Sequence, residues 1–224
     1  MMEATGGADR RLALSLMLLT SVTGLVDAAS VLGLGHVFTG NMTGNVLLLG
    51  FAISGAHEVS IAASVVALAG FLVGATCGGR LVRRATRRKL GTALALEFVL
   101  LLAAAGVATL AEEHAGTARG ALLLLLAMPM GLQSAAARRL AVPDMTTVVL
   151  TSVLTGIAVD SSLSRGTNPH LARRVGAVLA MLSGAVAGAL LMQRGLACTI
   201  GTAVVIQAMA VAGLLWTGTA RRAV

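Results

Sequence analysis

Charge is scarce in this chain, and acidic charge scarcest: nine Asp and Glu stand against seventeen Lys and Arg, and all four together make up 12% of 224 residues. So little charge excludes a soluble domain that keeps itself dissolved by its surface. Tyrosine is absent and aromatics amount to 2%, so the interfacial Trp/Tyr belt is nearly missing, with Trp216 as its one candidate. The two cysteines, Cys77 and Cys198, form no CxxC, haem or zinc spacing, and small apolar filler is the expected role of both. No metal site is expected. HExxH, a GxSxG elbow and a Gly-rich P-loop with Lys are also missing, and neither Ser30 with His36 nor Asp27 with Asp144 has a spacing that favours catalysis. The chain is therefore expected to be no enzyme and to need no cofactor.

What is present is apolar. Hydrophobic residues make up 57% of the chain, with a mean hydropathy of +0.90. Six stretches reach transmembrane length: about Leu12–Gly33, Val59–Gly79, Leu90–Ala111, Gly120–Ala137, Val175–Gln193 and Leu196–Thr217. Two more, about Met42–Gly55 and Thr146–Val159, are marginal or too short to cross. Arg10 and Arg11, the run "LALSLMLLT" and "DAAS" imitate a signal peptide, but the apolar run continues past Ser30, so an uncleaved first helix is expected. The net charge of +8 is nearly all arginine, Lys89 being the one lysine. These arginines lie between apolar segments, so they mark membrane topology and not nucleic acid, which is excluded as a partner. The lipid bilayer is the expected partner.

The chain also repeats itself. Gly70, Gly74 and Arg80 match Gly184, Gly188 and Arg194 at an offset of 114; Gly91, Thr92, Ala93 and Glu97 match Gly201, Thr202, Ala203 and Gln207 at 110. "GLVDAA" at 24–29 matches "GLQSAA" at 131–136, and "NMTGNVLL" at 41–48 matches "DMTTVVLT" at 144–151. Four blocks in the same order predict two homologous halves, about 1–110 and 111–224, within a single membrane domain. Arg10/Arg11, the run "RLVRRATRRK" at 80–89, the arginines of 138–174 and Arg221/Arg222 are expected on the cytoplasmic side, with Glu112 and Glu113 outside. That holds if the two short stretches dip in and return. The expected fold is thus all-α: a polytopic membrane helix bundle of about six spans plus two short re-entrant or broken helices, an inverted repeat of three and three. Eight spans with parallel halves is the alternative, and it strands the strongest basic loop outside.

Inside this apolar setting stands "VFTGNMTGNVLLLG", residues 37–50. A segment that turns back within a bilayer leaves backbone N–H and C=O groups without helical partners, and survives only in protein or beside water. Gly40 and Gly44 permit the turn. Thr39, Asn41, Thr43 and Asn45 can satisfy the freed groups or a ligand. The second half carries Pro143, Asp144, Thr146 and Thr147 in the equivalent place, with Asp144 suited to a helix start. Paired broken helices of this kind form the substrate site of inverted-repeat transporters; capping and packing of two short helices is the plainer reading.

The runs "GLVDAASVLGLGHVFTGNMTGN" and "GLQSAAARRLAVPDMTT" resemble the paired signatures of the YoaK family, bacterial inner-membrane proteins defined as a domain of unknown function. The resemblance spans nearly the whole chain. It implies a multi-pass protein of the bacterial inner (plasma) membrane and implies no substrate, reaction or site residue.

Polar residues within the spans complete the candidates. Asp27 lies deep in the first span and must face protein, water or a partner, because a charge in hydrocarbon is costly. Its counterpart is Ser134, beside Gln133. Glu97 pairs by repeat with Gln207, and either holds an ion or pairs with Arg80, Arg83 or Arg84. Candidates for substrate or ion binding are therefore Asp27, Asn41, Thr43, Asn45, Glu97, Gln133, Asp144 and Thr146. Asp160 is expected as a solvated cap, His36 as an interfacial residue, and His57, His114 and His170 in loops. Gly70-x3-Gly74 and Gly184-x3-Gly188 are faces for close helix approach within the bundle, with a homo-oligomer as the alternative. Pro129 should kink its span before Gly131. The expected function is secondary transport of a small molecule or ion, coupled to protons or another cation. A structural or accessory membrane protein is the alternative, and an intramembrane enzyme the least favoured.

Overall fold

A computed structural model describes residues 3–56, 59–83, 87–110, 115–140, 150–164, 166–168 and 170–220. The described residues form helices α1 (Glu3–Gly33), α2 (Met42–Ile53), α3 (Ile61–Leu81), α4 (Arg87–Leu110), α5 (Ala115–Leu140), α6 (Leu150–Val159), α7 (Leu171–Met192) and α8 (Leu196–Ala220), with one 3-10 turn at Ser162–Ser164. Long runs of Leu, Ala and Val without charge leave helix as the means of satisfying every backbone group in lipid. Six helices, α1, α3, α4, α5, α7 and α8, are long and apolar enough to cross a membrane, while α2 and α6 are shorter. α5 runs through Pro129 as one helix.

Local signals set the ends near the quoted motif. α1 stops where Gly35 (φ 101°) and His36 (φ 59°) adopt left-handed backbone, a conformation glycine takes without steric cost. The Asn41 side chain caps α2 by accepting from the Gly44 N–H at 3.4 Å, and the Ser60 hydroxyl caps α3 by accepting from the Ala63 N–H at 3.2 Å.

The core lies between α1, α4, α5 and α8, where Leu25, Leu101, Leu126 and Ile200 are fully buried. α3 packs along α5, and α7 along α1. Glycines make these contacts close. A Cβ on Gly74 would collide with the Met128 carbonyl, one on Gly131 with the Phe71 carbonyl, one on Gly184 with the Ser21 carbonyl and one on Gly24 with the Met181 carbonyl. Helix contacts among the described residues are unchanged in kind when α1–α4 are exchanged with α5–α8. α3 on α5 answers α7 on α1, α1 on α8 answers α4 on α5, α2 on α3 answers α6 on α7, and α4 meets α8.

Gly74 and Gly184 make the same kind of contact, as do Gly78 (against Leu132 and Ala135) and Gly188 (against Leu25 and Ala28), at a spacing of 110 where the sequence blocks are set at 114. At the same spacing Ser64 falls with Arg174 and Ala67 with Ala177, all four buried.

The contacts also fix helix directions. α7 runs parallel to α1, with Met17 near Gly176 and Met192 near Gly33; α3 runs parallel to α5, with Gly70 near Leu124 and Gly78 near Ala135. α8 runs opposite to α1, with Leu196 near Gly33 and Gly213 near Ser15. Gln133 reaches Leu19 and Thr23, while Arg119 lies beside Gly35, so α5 also runs opposite to α1. α1 and α3 therefore run oppositely, and so do α5 and α7. Eight crossings would require each pair to run the same way.

Two sequence expectations change here. Cys77 and Cys198 are exposed on helix faces turned from the core, so neither fills it. Asp160 is paired: its carboxylate receives the Arg174 guanidinium at 2.7 Å, and the same guanidinium donates to the Gly156 carbonyl at 2.6 Å. Arg174 is mostly buried and ties the end of α6 to α7, whereas a count of basic residues takes it for a loop charge. Glu112, Glu113, Arg84, His57, His114, Pro143, Asp144, Thr146 and Thr147 lie outside the described residues.

Candidate functional site

Thr23 and Asp27 stand four residues apart on one face of α1, one helical turn along. The chain leaving α1 folds back onto this face. The Asp27 carboxylate Oδ1 accepts the Thr39 N–H at 2.8 Å, the Gly40 N–H at 2.7 Å and the Thr39 hydroxyl at 3.1 Å. These bonds satisfy backbone that no helix satisfies, which is the demand a broken segment makes in a membrane. Gly40 makes the approach possible, since a Cβ there would lie 2.8 Å from the Thr23 methyl and 3.4 Å from Asp27 Oδ2. Thr39 was legible as a polar member of the motif but not as the residue that Asp27 holds.

Asn45 takes the other end of the turn. Its Oδ1 accepts the Phe38 N–H at 2.8 Å and its Nδ2 donates to the Phe38 carbonyl at 2.5 Å, so one amide satisfies both polar groups of one residue. Fully buried in this clamp, Asn45 faces the backbone. Its role in the structure is to hold the turn.

Beside the turn lies a cavity of about 960 Å³, bounded by Asp27 and Thr23 of α1, Met181 of α7, residues 40–44, Val46, Leu47, Gly50 and Phe51, and Leu150 and Thr151 of α6. Asn41 and Thr43 lie on its wall together with Asp27. Phe51, Leu47 and Val46 of α2 make the rest of it largely apolar. No basic side chain lines it among the described residues. Asp27 is nearly fully buried, and its Oδ2 accepts no hydrogen bond. The cavity thus sets the buried Asp27 carboxyl beside hydroxyl, amide and apolar surface.

The remaining candidates divide. Gln133 does not line the cavity. It sits one side chain behind, where its Nε2 donates to the Thr23 hydroxyl at 3.2 Å and to the Leu19 carbonyl at 3.4 Å. Thr23, which sequence reasoning passed over, links the two halves at this point. Glu97 is elsewhere, fully buried where α4 meets α8 and beside its repeat mate Gln207. The alternative pairing with Arg80 or Arg83 does not occur, both arginines being exposed near the end of α3, and Arg84 lies outside the described residues. No group of three or more His, Cys, Asp or Glu suited to a metal ion occurs among the described residues.

Comparison with known proteins agrees with a membrane chain of this kind. The chain is similar to the UPF0700 transmembrane protein YoaK of Bacillus subtilis (strain 168), with 37% identity over 162 residues that cover 70% of each chain. No solved structure matches it. The family described as "Protein of unknown function (DUF1275)" matches residues 15–213, which take in α3, α4, α5 and α7, most of α1 and α8, the Asp27 turn and the α4–α8 crossing, and the chain belongs to that family.

Proposed function

We propose that this protein is a secondary transporter of a small, positively charged solute or ion, with Asp27 as its counter-ion. The observation that carries the reading is the buried Asp27 carboxylate on the wall of a cavity of about 960 Å³, with one oxygen fixed by the broken segment and the other unpartnered. An intramembrane carboxylate facing a cavity is a functional feature by default, given its cost in hydrocarbon. The absence of basic side chains from the described lining disfavours an anion. Apolar α2 side chains suit a solute with a hydrocarbon body.

The reading includes an inverted repeat of the two halves. It is supported by the exchange pattern of the helix contacts, the shared offset of 110 and the opposed directions of α1 and α5. Short helices at a repeat interface around a central site are the architecture of alternating access. The chain is placed in the bacterial inner membrane with both termini and residues 80–89 cytoplasmic, on the distribution of arginine. Transport, not catalysis, is the activity.

A structural or accessory role is the second reading. It is favoured by the number of Asp27 and Asn45 contacts spent on the chain's own backbone. A thermal-shift series on purified protein separates the two. Alkylammonium ions, neutral isosteres of the same shape and carboxylates are compared at two pH values. The transporter reading expects stabilisation by the ammonium ions alone, about 2.7 kcal/mol at a hundredfold excess over Kd. Absence of stabilisation by any member supports the structural role, and equal stabilisation by neutral isosteres removes the counter-ion role of Asp27.

A further inference from the structure

A second polar site lies where α4 crosses α8, apart from the Asp27 cavity. Glu97 of α4 and Gln207 of α8 correspond at the offset of 110, so the same position of both halves meets itself there. Both side chains are fully buried, with the Gln207 amide against the Glu97 carboxyl. Yet Glu97 Oε1 and Oε2 and Gln207 Oε1 and Nε2 all stand without a hydrogen bond of good geometry. Four orphaned polar atoms at one buried contact call for a partner.

Charge does not supply it. α8 carries no charged residue between Leu196 and Ala220. On α5 the charged residues are Arg119, Arg138 and Arg139, and on α3 Arg80, all exposed and near helix ends. Lys89, on α4 itself, is two turns before Glu97. Glu97 has no ion-pair partner among the described residues.

Donor arithmetic then decides. An ionised carboxylate only accepts, so it could take the Gln207 N–H but would leave the Gln207 carbonyl facing negative charge. A carboxylic acid both donates and accepts, as does a primary amide. We propose that Glu97 holds a proton and closes a cyclic pair with Gln207, a proton-binding site at the crossing of α4 and α8. The acid O–H donates to the Gln207 carbonyl, and the Gln207 N–H donates to the acid carbonyl. A small turn of the two terminal groups satisfies all four atoms. When the proton leaves, the donated O–H bond is lost and the two oxygens repel, so occupancy by a proton controls the contact. Asp27 is the opposite case, since all the hydrogen bonds it makes are donated to it.

Infrared spectroscopy of the purified protein at neutral pH tests this through the carbonyl stretch of a protonated carboxylic acid. That band is expected in the wild type and in Asp27→Asn. It should vanish in Glu97→Gln, which keeps an amide–amide pair and therefore the fold. In Gln207→Leu it should move to higher frequency as the acid carbonyl loses its hydrogen bond. The exchanged double variant Glu97→Gln/Gln207→Glu should recover it. A wild type without the band, a band unaltered by Glu97→Gln, or an exchanged variant that is folded without it would overturn the proposal.

Discussion

Asp27→Asn is expected to leave the protein folded and to abolish binding and uptake of the cationic solute. The amide keeps an acceptor at Oδ1 for the Thr39 and Gly40 N–H groups and the Thr39 hydroxyl. Its new Nδ2 replaces an oxygen that accepts nothing, so no bond is broken there. Three bonds lose charge assistance, while an uncharged group becomes cheaper to bury in the bilayer. The two effects oppose each other, and the melting temperature should move little. Binding is different. Removing one partner of a buried charge pair costs about 2–5 kcal/mol, or roughly thirty-fold to several thousand-fold in affinity. Asp27→Ala serves as contrast, because it leaves two buried N–H groups without an acceptor and should destabilise by about 2–6 kcal/mol at about 1–3 for each. Uptake into proteoliposomes, alongside thermal unfolding of each variant, separates the two results. If Asp27→Asn transports as the wild type does, the carboxylate is no counter-ion.

Gly74→Leu and Gly184→Leu are each expected to yield no folded protein, and to equal degrees. At both places the new Cβ meets a backbone carbonyl, of Met128 in one half and of Ser21 in the other, which cannot swing aside as a side chain could. Helix pairs in lipid owe their association to close packing, so separating α3 from α5 or α7 from α1 removes what holds them. Alanine at either site should already cost about 1–3 kcal/mol by overpacking. Gly106→Ala is the control. Nothing lies within 4 Å of its added Cβ, and alanine in a helix interior should stabilise by about 0.5–1 kcal/mol. Monodispersity in detergent and thermal unfolding read all three. Unequal losses at positions 74 and 184 would break the correspondence of the halves.

Much of the architecture was legible because hydrocarbon imposes a length. The six spans stand in the sequence as apolar runs, and α2 and α6 announce themselves by being short. The sequence blocks set Gly70 and Gly74 with Gly184 and Gly188 at 114, whereas the glycines with alike backbone contacts, Gly74 and Gly184, stand 110 apart. A shift of four residues leaves a glycine on nearly the same helix face, so in a chain with 27 glycines the pattern alone does not choose between the two.

The candidate site was legible in its parts and not in its joins. Asp27 was conspicuous as a carboxyl in an apolar run. Its partners lie 12 and 13 residues on, across a turn whose path no periodicity describes. Asn45 and Asn41 look alike in sequence, yet one clamps Phe38 and the other caps α2 beside the cavity. Thr23 carries no signal except its spacing from Asp27. Arg174 was hidden by its type, because arginines are counted for topology, and those at 80, 83, 119, 138, 139 and 194 are exposed.

The account rests on α2 and α6 turning back instead of crossing, since only then does the broken segment meet Asp27 inside the bundle. Labelling from the outer face with a membrane-impermeant thiol reagent tests this most directly. Single cysteines are placed at positions 86 and 115 in a variant lacking Cys77 and Cys198. Two returning segments predict labelling at 115 and none at 86 until the membrane is opened. Labelling at 86 and none at 115 would contradict the account.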